Sequence, residues 1–154
     1  MQNQIKTETR LAFIQFIFSS LFSNATVKEN TNEFENYFYK LSVSSMEQKN
    51  ETSINFNKNY FKKLANSYDA FIKNHNIKEI INSIIKFDRG FENWDQINKS
   101  IILSIFSEIE ITKKDKVKIL LNDYMNISKT LIPKKDLSMI NAITDKYLSD
   151  RQIL

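Results

Sequence analysis

Few residues of this chain could carry out covalent chemistry. His75 is the only histidine and there is no cysteine, so a His–His metal pair, a Ser-His-Asp triad and a thiol nucleophile cannot be assembled. Gly90 is the only glycine, whereas phosphate-binding loops, dinucleotide fingerprints and nucleophile elbows depend on glycines in tight turns. We therefore predict a protein that is not an enzyme and that uses no metal and no cofactor.

Hydrophobic periodicity predicts an all-α fold of about seven helices. Asn76 with Glu79 three residues later resembles a capping box, and Pro133 can open the last helix. The predicted helices are Thr7–Phe22, Asn32–Met46, Phe56–Lys73, Ile77–Lys86, Asp95–Ile109, Thr112–Leu131 and the helix that follows Pro133. Short polar connections, among them Ser23–Asn30 and Met46–Ser53, predict antiparallel neighbours and hence a helical bundle.

The first predicted helix is apolar almost all round. Its principal apolar face would consist of Leu11, Ile14, Phe18, Leu21 and Phe22, and Ala12, Phe13, Phe16 and Ile17 widen that face. A helix that is apolar on all sides belongs in the interior of a fold. We therefore predict that the phenylalanine stripes form core rather than platforms for base stacking.

Length and charge limit the remaining possibilities. The chain has 154 residues, of which 42% are hydrophobic and 26% are charged, and this predicts one soluble domain spanning residues 1–154. No apolar run approaches the roughly 20 residues that cross a bilayer, so we expect a cytoplasmic protein without a membrane partner. The formal net charge of +4 suits weak binding to an anionic partner.

Five segments carry a family resemblance. Gln96–Leu103 reads Gln-Ile-Asn-Lys-Ser-Ile-Ile-Leu and leads into Phe106–Ile109, after which come Val117–Tyr124 and Met139–Lys146. Arg10–Phe18 at the other end reads Arg-Leu-Ala-Phe-Ile-Gln-Phe-Ile-Phe. In order and spacing these segments resemble the NusB family of bacterial transcription antitermination factors. The resemblance covers a third to a half of the chain, and the Asn-Asp-Tyr ending of the third segment is similar to alphaproteobacterial members.

The resemblance implies seven helices in two packed antiparallel sub-bundles. It also implies a factor that acts in the RNA polymerase antitermination complex on ribosomal RNA operons. There it would bind single-stranded boxA-type leader RNA together with the small-subunit ribosomal protein that acts as NusE. Whether free chains form a homodimer stays open, and the alternative is a diverged helical protein-interaction module that has lost RNA binding.

The implied RNA-binding residues come from two places in the chain: Lys6, Arg10, Gln15, Lys134 and Lys135. For Lys6 and Arg10 the alternative is an ordinary solvated helix start, and a solvated surface is also the alternative for the two later lysines. Gln15 interrupts an apolar face, so it either forms a hydrogen bond inside the bundle or reaches RNA. The chain departs from the family in lacking its N-terminal arginine run, which weakens the RNA prediction.

The implied partner-binding residues lie on and just after the fifth predicted helix: Asn98, Ile102, Glu108 and Lys113. A plain core position is the alternative for Ile102. The densest basic run of the chain begins there with Lys113, Lys114, Lys116 and Lys118. Thr112 and Asp115 indicate a helix start at this point, where cations oppose the helix dipole. The two alternatives for this basic run are a solvated surface that keeps the chain soluble and a contact with RNA or a partner.

Overall fold

The computed structural model describes residues 2–36, 56–85 and 90–152. Seven α-helices occur in this part of the chain: α1 Asn3–Ser20, α2 over residues 27–36, α3 Lys58–Asn74, α4 Ile77–Ile84, α5 Gln96–Ile109, α6 Val117–Ser128 and α7 Lys134–Asp150. Single 3-10 turns at Phe91–Asn93 and Lys114–Lys116 precede α5 and α6. These ranges contain no strand, so the all-α prediction with seven helices is confirmed there.

Two sequence predictions fall on residues outside the described ranges. They are the end of the second helix at Met46 and the loop Met46–Ser53. The prediction that the fourth helix reaches Lys86 is wrong, because α4 ends at Ile84 and its C-cap residue Ile85 is extended. Where α2 is described, it begins earlier than predicted. The Thr26 hydroxyl accepts a 3.2 Å hydrogen bond from the amide of Glu29, which caps a helix that starts at residue 27. The predicted loop Ser23–Asn30 is therefore wrong over its last four residues.

The chain divides into two compact units, Met1–Asn66 and Ser67–Leu154, and the boundary lies within α3. The single domain over residues 1–154 and the two packed antiparallel sub-bundles remain predictions. None of the described helices combines the length and apolar character that a membrane span needs.

Aromatic side chains form the core of the first unit. The Phe16 ring lies 5.4 Å from that of Phe61 and 5.7 Å from that of Phe34, and Phe34 stacks on Phe61 at 5.2 Å. The buried arc of α1 consists of the residues that the sequence placed beside its main face: Ala12, Phe13, Phe16 and Ile17, together with Ile14. Because the helix is apolar all round, its neighbours decide which arc becomes core.

Phe18 of α1 and Phe22, two residues beyond the end of α1, correct the prediction that all the phenylalanine stripes are core. Phe18 is 39% exposed and Phe22 is 67% exposed. Phe18 lies on the side of α1 away from Phe13 and Phe16, and Phe22 follows the end of the helix and contacts the Phe18 ring. Of the five residues predicted to form the principal apolar face, Ile14 is therefore buried, Leu11 and Leu21 are half-buried, and Phe18 and Phe22 are exposed.

Helix α5 is the most enclosed element of the second unit, and it packs against α6 and α7. Every residue from Ile101 to Ile109 is buried. Its three serines donate to carbonyls four residues back, at 2.6–2.7 Å, so their hydroxyls are satisfied within the helix itself. The Phe106 ring stacks on Tyr147 of α7 with centroids 3.9 Å apart.

Helix starts in the second unit agree with prediction in one case and differ in another. The Asn76 side chain accepts a 3.2 Å hydrogen bond from the amide of Glu79, which confirms the predicted cap of α4. Thr112 does not cap α6. Its hydroxyl instead donates to the carbonyl of Glu108 at 2.6 Å, and α6 begins at Val117 after the 3-10 turn.

Candidate nucleic-acid and partner interface

Arg10 lies inside the first unit, where it is 7% exposed. Its Nη2 donates to the hydroxyl of Tyr60 at 3.3 Å. Beside it, the Thr9 hydroxyl accepts a 3.0 Å hydrogen bond from the amide of Asn57, and the Asn57 side chain caps the start of α3 by accepting from the amide of Tyr60 at 2.8 Å. Thr9 and Arg10 therefore join α1 to the beginning of α3.

Helix geometry separates the three predicted RNA residues of α1. At about 100° per residue, Gln15 lies on the opposite side of the helix from Lys6 and roughly 140° from Arg10. Lys6 is half-buried and Gln15 is exposed. Gln15 therefore does not occupy the interior position that a hydrogen bond inside the bundle would require. The structure does not bring these three side chains together on one face of α1.

The outward face of α1 has a different composition. Gln15, Phe18 and Phe22 follow one another at spacings of three and four residues, and all three are exposed. The Phe18 and Phe22 rings meet edge to face with centroids 5.3 Å apart. We call these three residues the α1 aromatic face. Gln15 is the signal that could have revealed it, because a polar residue in an otherwise apolar helix marks the side that faces water.

Lys134 and Lys135 occupy the first turn of α7, directly after its N-cap Pro133. Both are exposed, and neither forms an ion pair with a carboxylate of the described ranges. They belong to the second unit, whereas Lys6, Arg10 and Gln15 belong to the first.

Three of the four predicted partner residues are interior. Asn98 is 5%, Ile102 is 0% and Glu108 is 1% exposed, whereas Lys113 is exposed. The position of Ile102 is that of a core residue, which was the alternative weighed for it. Glu108 accepts a 2.8 Å hydrogen bond from the Tyr124 hydroxyl, and Oδ1 of Asn98 is buried without a hydrogen-bond partner in the described part of the chain. In this conformation only Lys113 offers a partner an exposed side chain.

A polar cluster that sequence reasoning missed surrounds Glu110, the C-cap residue of α5. Its Oε1 accepts from Arg151 Nη1 at 2.7 Å and from the Tyr147 hydroxyl at 3.3 Å, and His75 Nε2 lies 3.9 Å away. Burial raises the pKa of Tyr147; Arg151 opposes this effect and Glu110 adds to it. The cluster joins the end of α7 to the ends of α3 and α5, and no spacing in the sequence signals residues so far apart.

The described residues hold no group of three or more histidine, aspartate or glutamate side chains that could bind a metal ion. The chain matches no family model, no curated protein and no solved structure. The resemblance to the NusB family therefore rests on the sequence segments alone.

The exposed side chains of the α1 aromatic face and of the start of α7 allow two kinds of contact. The α1 aromatic face has flat rings and one amide, and the start of α7 has two exposed cations that pair with no carboxylate of the described ranges. Rings and amides can contact unstacked bases, and lysines can neutralise phosphates.

Proposed function

We propose that this chain is a non-enzymatic, cytoplasmic RNA-binding adaptor of the NusB type. It would bind single-stranded boxA-type RNA of ribosomal leaders together with the small-subunit ribosomal protein that acts as NusE, within the RNA polymerase antitermination complex. The order and spacing of the five family-like segments support this proposal, and so does their placement on helices: Val117–Tyr124 lies in α6 and Met139–Lys146 lies in α7.

The α1 aromatic face is the observation that carries the RNA proposal. A soluble domain normally keeps large aromatic rings from water, yet Phe18 and Phe22 are exposed next to each other. Stacking of a base on an aromatic side chain contributes about 1–3 kcal/mol and tolerates any base. The Gln15 amide, three residues from Phe18, can form hydrogen bonds with a base edge.

The cations suit a weak binder that depends on a partner. Each phosphate neutralised on a single strand adds about 0.7 to the slope of log affinity against log salt. Lys134 and Lys135 supply two exposed cations, while half-buried Lys6 and buried Arg10 have less access to a phosphate. An adaptor of this kind acts by assembly, because a second surface on the ribosomal protein raises the effective concentration of the RNA.

Fluorescence anisotropy with a labelled boxA-like RNA tests the proposal, with and without the ribosomal partner. We expect Phe18→Ser/Phe22→Ser to weaken RNA binding at least about 10-fold. Ile72→Ser/Leu131→Ser is the matched control, because those side chains are also exposed, at 40% and 36%. RNA binding that is absent from the wild type, alone and with the partner, would contradict the proposal.

One observation favours the alternative, a diverged helical interaction module that has lost RNA binding. Arg10, the only arginine among the predicted RNA residues, contacts Tyr60 in the interior of its unit. The exposed Phe18 and Phe22 rings could pack against an apolar partner instead of a base. Partner binding that requires these rings and persists without any RNA affinity would select this alternative.

A further inference from the structure

Helix α6 has one buried and one exposed side. The buried side consists of Val117, Leu120, Leu121, Tyr124 and Ile127. The exposed side consists of Lys118, Ile119, Asn122, Asn126 and Lys129. At about 100° per residue, these five exposed residues lie within roughly one third of the helix circumference. The exposed side is therefore a continuous strip of cations and amides with one apolar residue.

The 3-10 turn before α6 extends this strip with two further lysines. Lys114 and Lys116 are exposed, and we call Lys114, Lys116, Lys118 and Lys129, with Asn122 and Asn126, the α6 lysine surface. None of its four lysines pairs with a carboxylate of the described ranges. Elsewhere in the unit lysines do have such partners: Lys73 lies 2.9 Å from Asp69 and Lys146 lies 3.1 Å from Asp150.

The position of these cations is unfavourable for the helix itself. No acidic residue occupies the first turn of α6, and no side chain caps its start. Lys116 and Lys118 therefore face the positive end of the helix dipole, which raises the free energy of the folded chain. The exposed Asp115 of the 3-10 turn is a carboxylate near this end of the helix, but among the described residues it forms no ion pair with the four lysines. The charge of the lysines is therefore available to an anionic ligand.

We propose that the α6 lysine surface binds single-stranded RNA, with its lysines on phosphates and its two asparagines on base edges. The inference rests on RNA being the ligand of the proposed function. It adds a contact region on the same chain beyond the α1 aromatic face and the two lysines at the start of α7.

The composition of the surface favours RNA over other anionic partners. Asn122 and Asn126 lie one turn apart between the lysines, and amides of this kind can contact unpaired bases. A lipid surface would require an apolar face that inserts, but the apolar face of α6 is buried and Ile119 alone is apolar on the exposed side. An acidic protein segment has no bases for the amides to contact.

The test compares two triple variants of the full chain. Lys114→Gln/Lys116→Gln/Lys118→Gln removes the start of the surface, and Lys28→Gln/Lys63→Gln/Lys78→Gln removes three exposed lysines elsewhere. Both change the formal net charge from +4 to +1. One control lysine, Lys78, has a carboxylate partner, Glu92 at 3.7 Å, so the unfolding measurement also checks that loss of this pair leaves the fold intact. The probe is a labelled oligouridine, measured by anisotropy over a series of salt concentrations, with circular dichroism and urea unfolding to verify the fold.

We expect the first triple variant to bind at least about 10-fold more weakly and to lower the salt slope by about 2, since each lost phosphate contact accounts for about 0.7. The control should change affinity less than about 3-fold. Asn122→Ala/Asn126→Ala should weaken binding while it leaves the salt slope unchanged.

Equal effects of the two triple variants, with wild-type RNA binding that still depends on Phe18 and Phe22, would overturn this inference and leave the proposed function intact. Absence of RNA binding by the wild type would overturn both. Lysine-dependent binding to polyglutamate or to phosphatidylserine vesicles without RNA binding would also overturn the assignment to RNA.

Discussion

The Tyr124 hydroxyl donates a 2.8 Å hydrogen bond to Oε1 of Glu108 between α6 and α5. Both residues are inaccessible to water, with Glu108 1% and Tyr124 0% exposed. A buried carboxyl group requires hydrogen-bond donors, because transfer of its oxygens out of water without them is costly. Whatever contact a partner makes with this region, Glu108 already has a role inside the second unit.

Replacement of Tyr124 by phenylalanine should lower the free energy of unfolding by about 1–3 kcal/mol, since it leaves a buried carboxyl oxygen without this donor. Urea unfolding followed by circular dichroism measures the change. Tyr147→Phe is the control: its hydroxyl bond to Glu110 is 3.3 Å long and that carboxylate is one-third exposed, so a smaller loss is expected. Equal losses in the two variants would contradict this assignment.

The burial of Ile102 predicts a large stability effect on truncation. Ile102→Ala should cost about 2–5 kcal/mol, because it opens a cavity beside a fully buried helix. Ile119→Ala removes the same atoms from a side chain that is 63% exposed and should change stability by less than about 0.5 kcal/mol. If Ile102→Ala instead left unfolding unchanged and abolished binding of the ribosomal partner, Ile102 would be an interface residue.

Tyr68 makes stability depend on alkaline pH. Burial, with a smaller contribution from Asp69, raises the pKa of Tyr68 to about 12 from its ordinary value of 10.0. Because the folded pKa is the higher one, the neutral phenol stabilises the fold fully below pH 10, and this contribution is lost as pH rises towards 12. Two pKa units correspond to about 3 kcal/mol. Tyr68→Phe should flatten the fall of unfolding free energy between pH 9.5 and pH 12; an unchanged slope would refute this.

Arg10 should matter more for stability than for RNA affinity. Arg10→Ala removes a buried donor to the Tyr60 hydroxyl and should lower the free energy of unfolding by about 1–3 kcal/mol. RNA affinity, measured where the variant is fully folded, should stay within about 2-fold of wild type, because the guanidinium is on the far side of α1 from Gln15. A larger loss of affinity with normal stability would restore Arg10 as an RNA contact.

The cap of α4 can be tested with two neighbouring asparagines. Asn76→Ala removes the oxygen that accepts from the amide of Glu79 and should lower unfolding free energy by about 1 kcal/mol. Asn74→Ala changes an exposed side chain at the end of α3 and should have a smaller effect. Thermal melts followed at 222 nm would distinguish the two, and a larger effect at Asn74 would contradict the capping role.

Local signals accounted for most helix positions. Helix α5 was expected over Asp95–Ile109 and spans Gln96–Ile109, and α4 begins where the Asn76 cap places it. Apolar periodicity and caps depend on residues within a few positions of one another, so one sequence is sufficient to detect them. The pair Thr26 and Glu29 carries the same kind of signal within a polar segment.

Which side of a helix is buried depends on distant residues. In α1 apolar residues occur on every side, so within Leu11–Phe22 only the polar Gln15 and Ser19 indicate that the side with Phe18 faces water. The distinction comes from Phe34 and Phe61 in other helices. The same reason applies to Arg10, whose partner Tyr60 is 50 residues away, and to the cluster around Glu110.

The serines of α5 also bear on how this chain can vary. Because Ser100, Ser104 and Ser107 donate to carbonyls of their own helix, their hydroxyls require no polar partner from the helices around them. The apolar side chains that surround these three hydroxyls need only fill volume, so substitutions among them face a steric requirement alone, unlike Tyr124, whose hydroxyl is bound to Glu108. The apolar residues around these serines can therefore vary widely during evolution while the arrangement of helices persists.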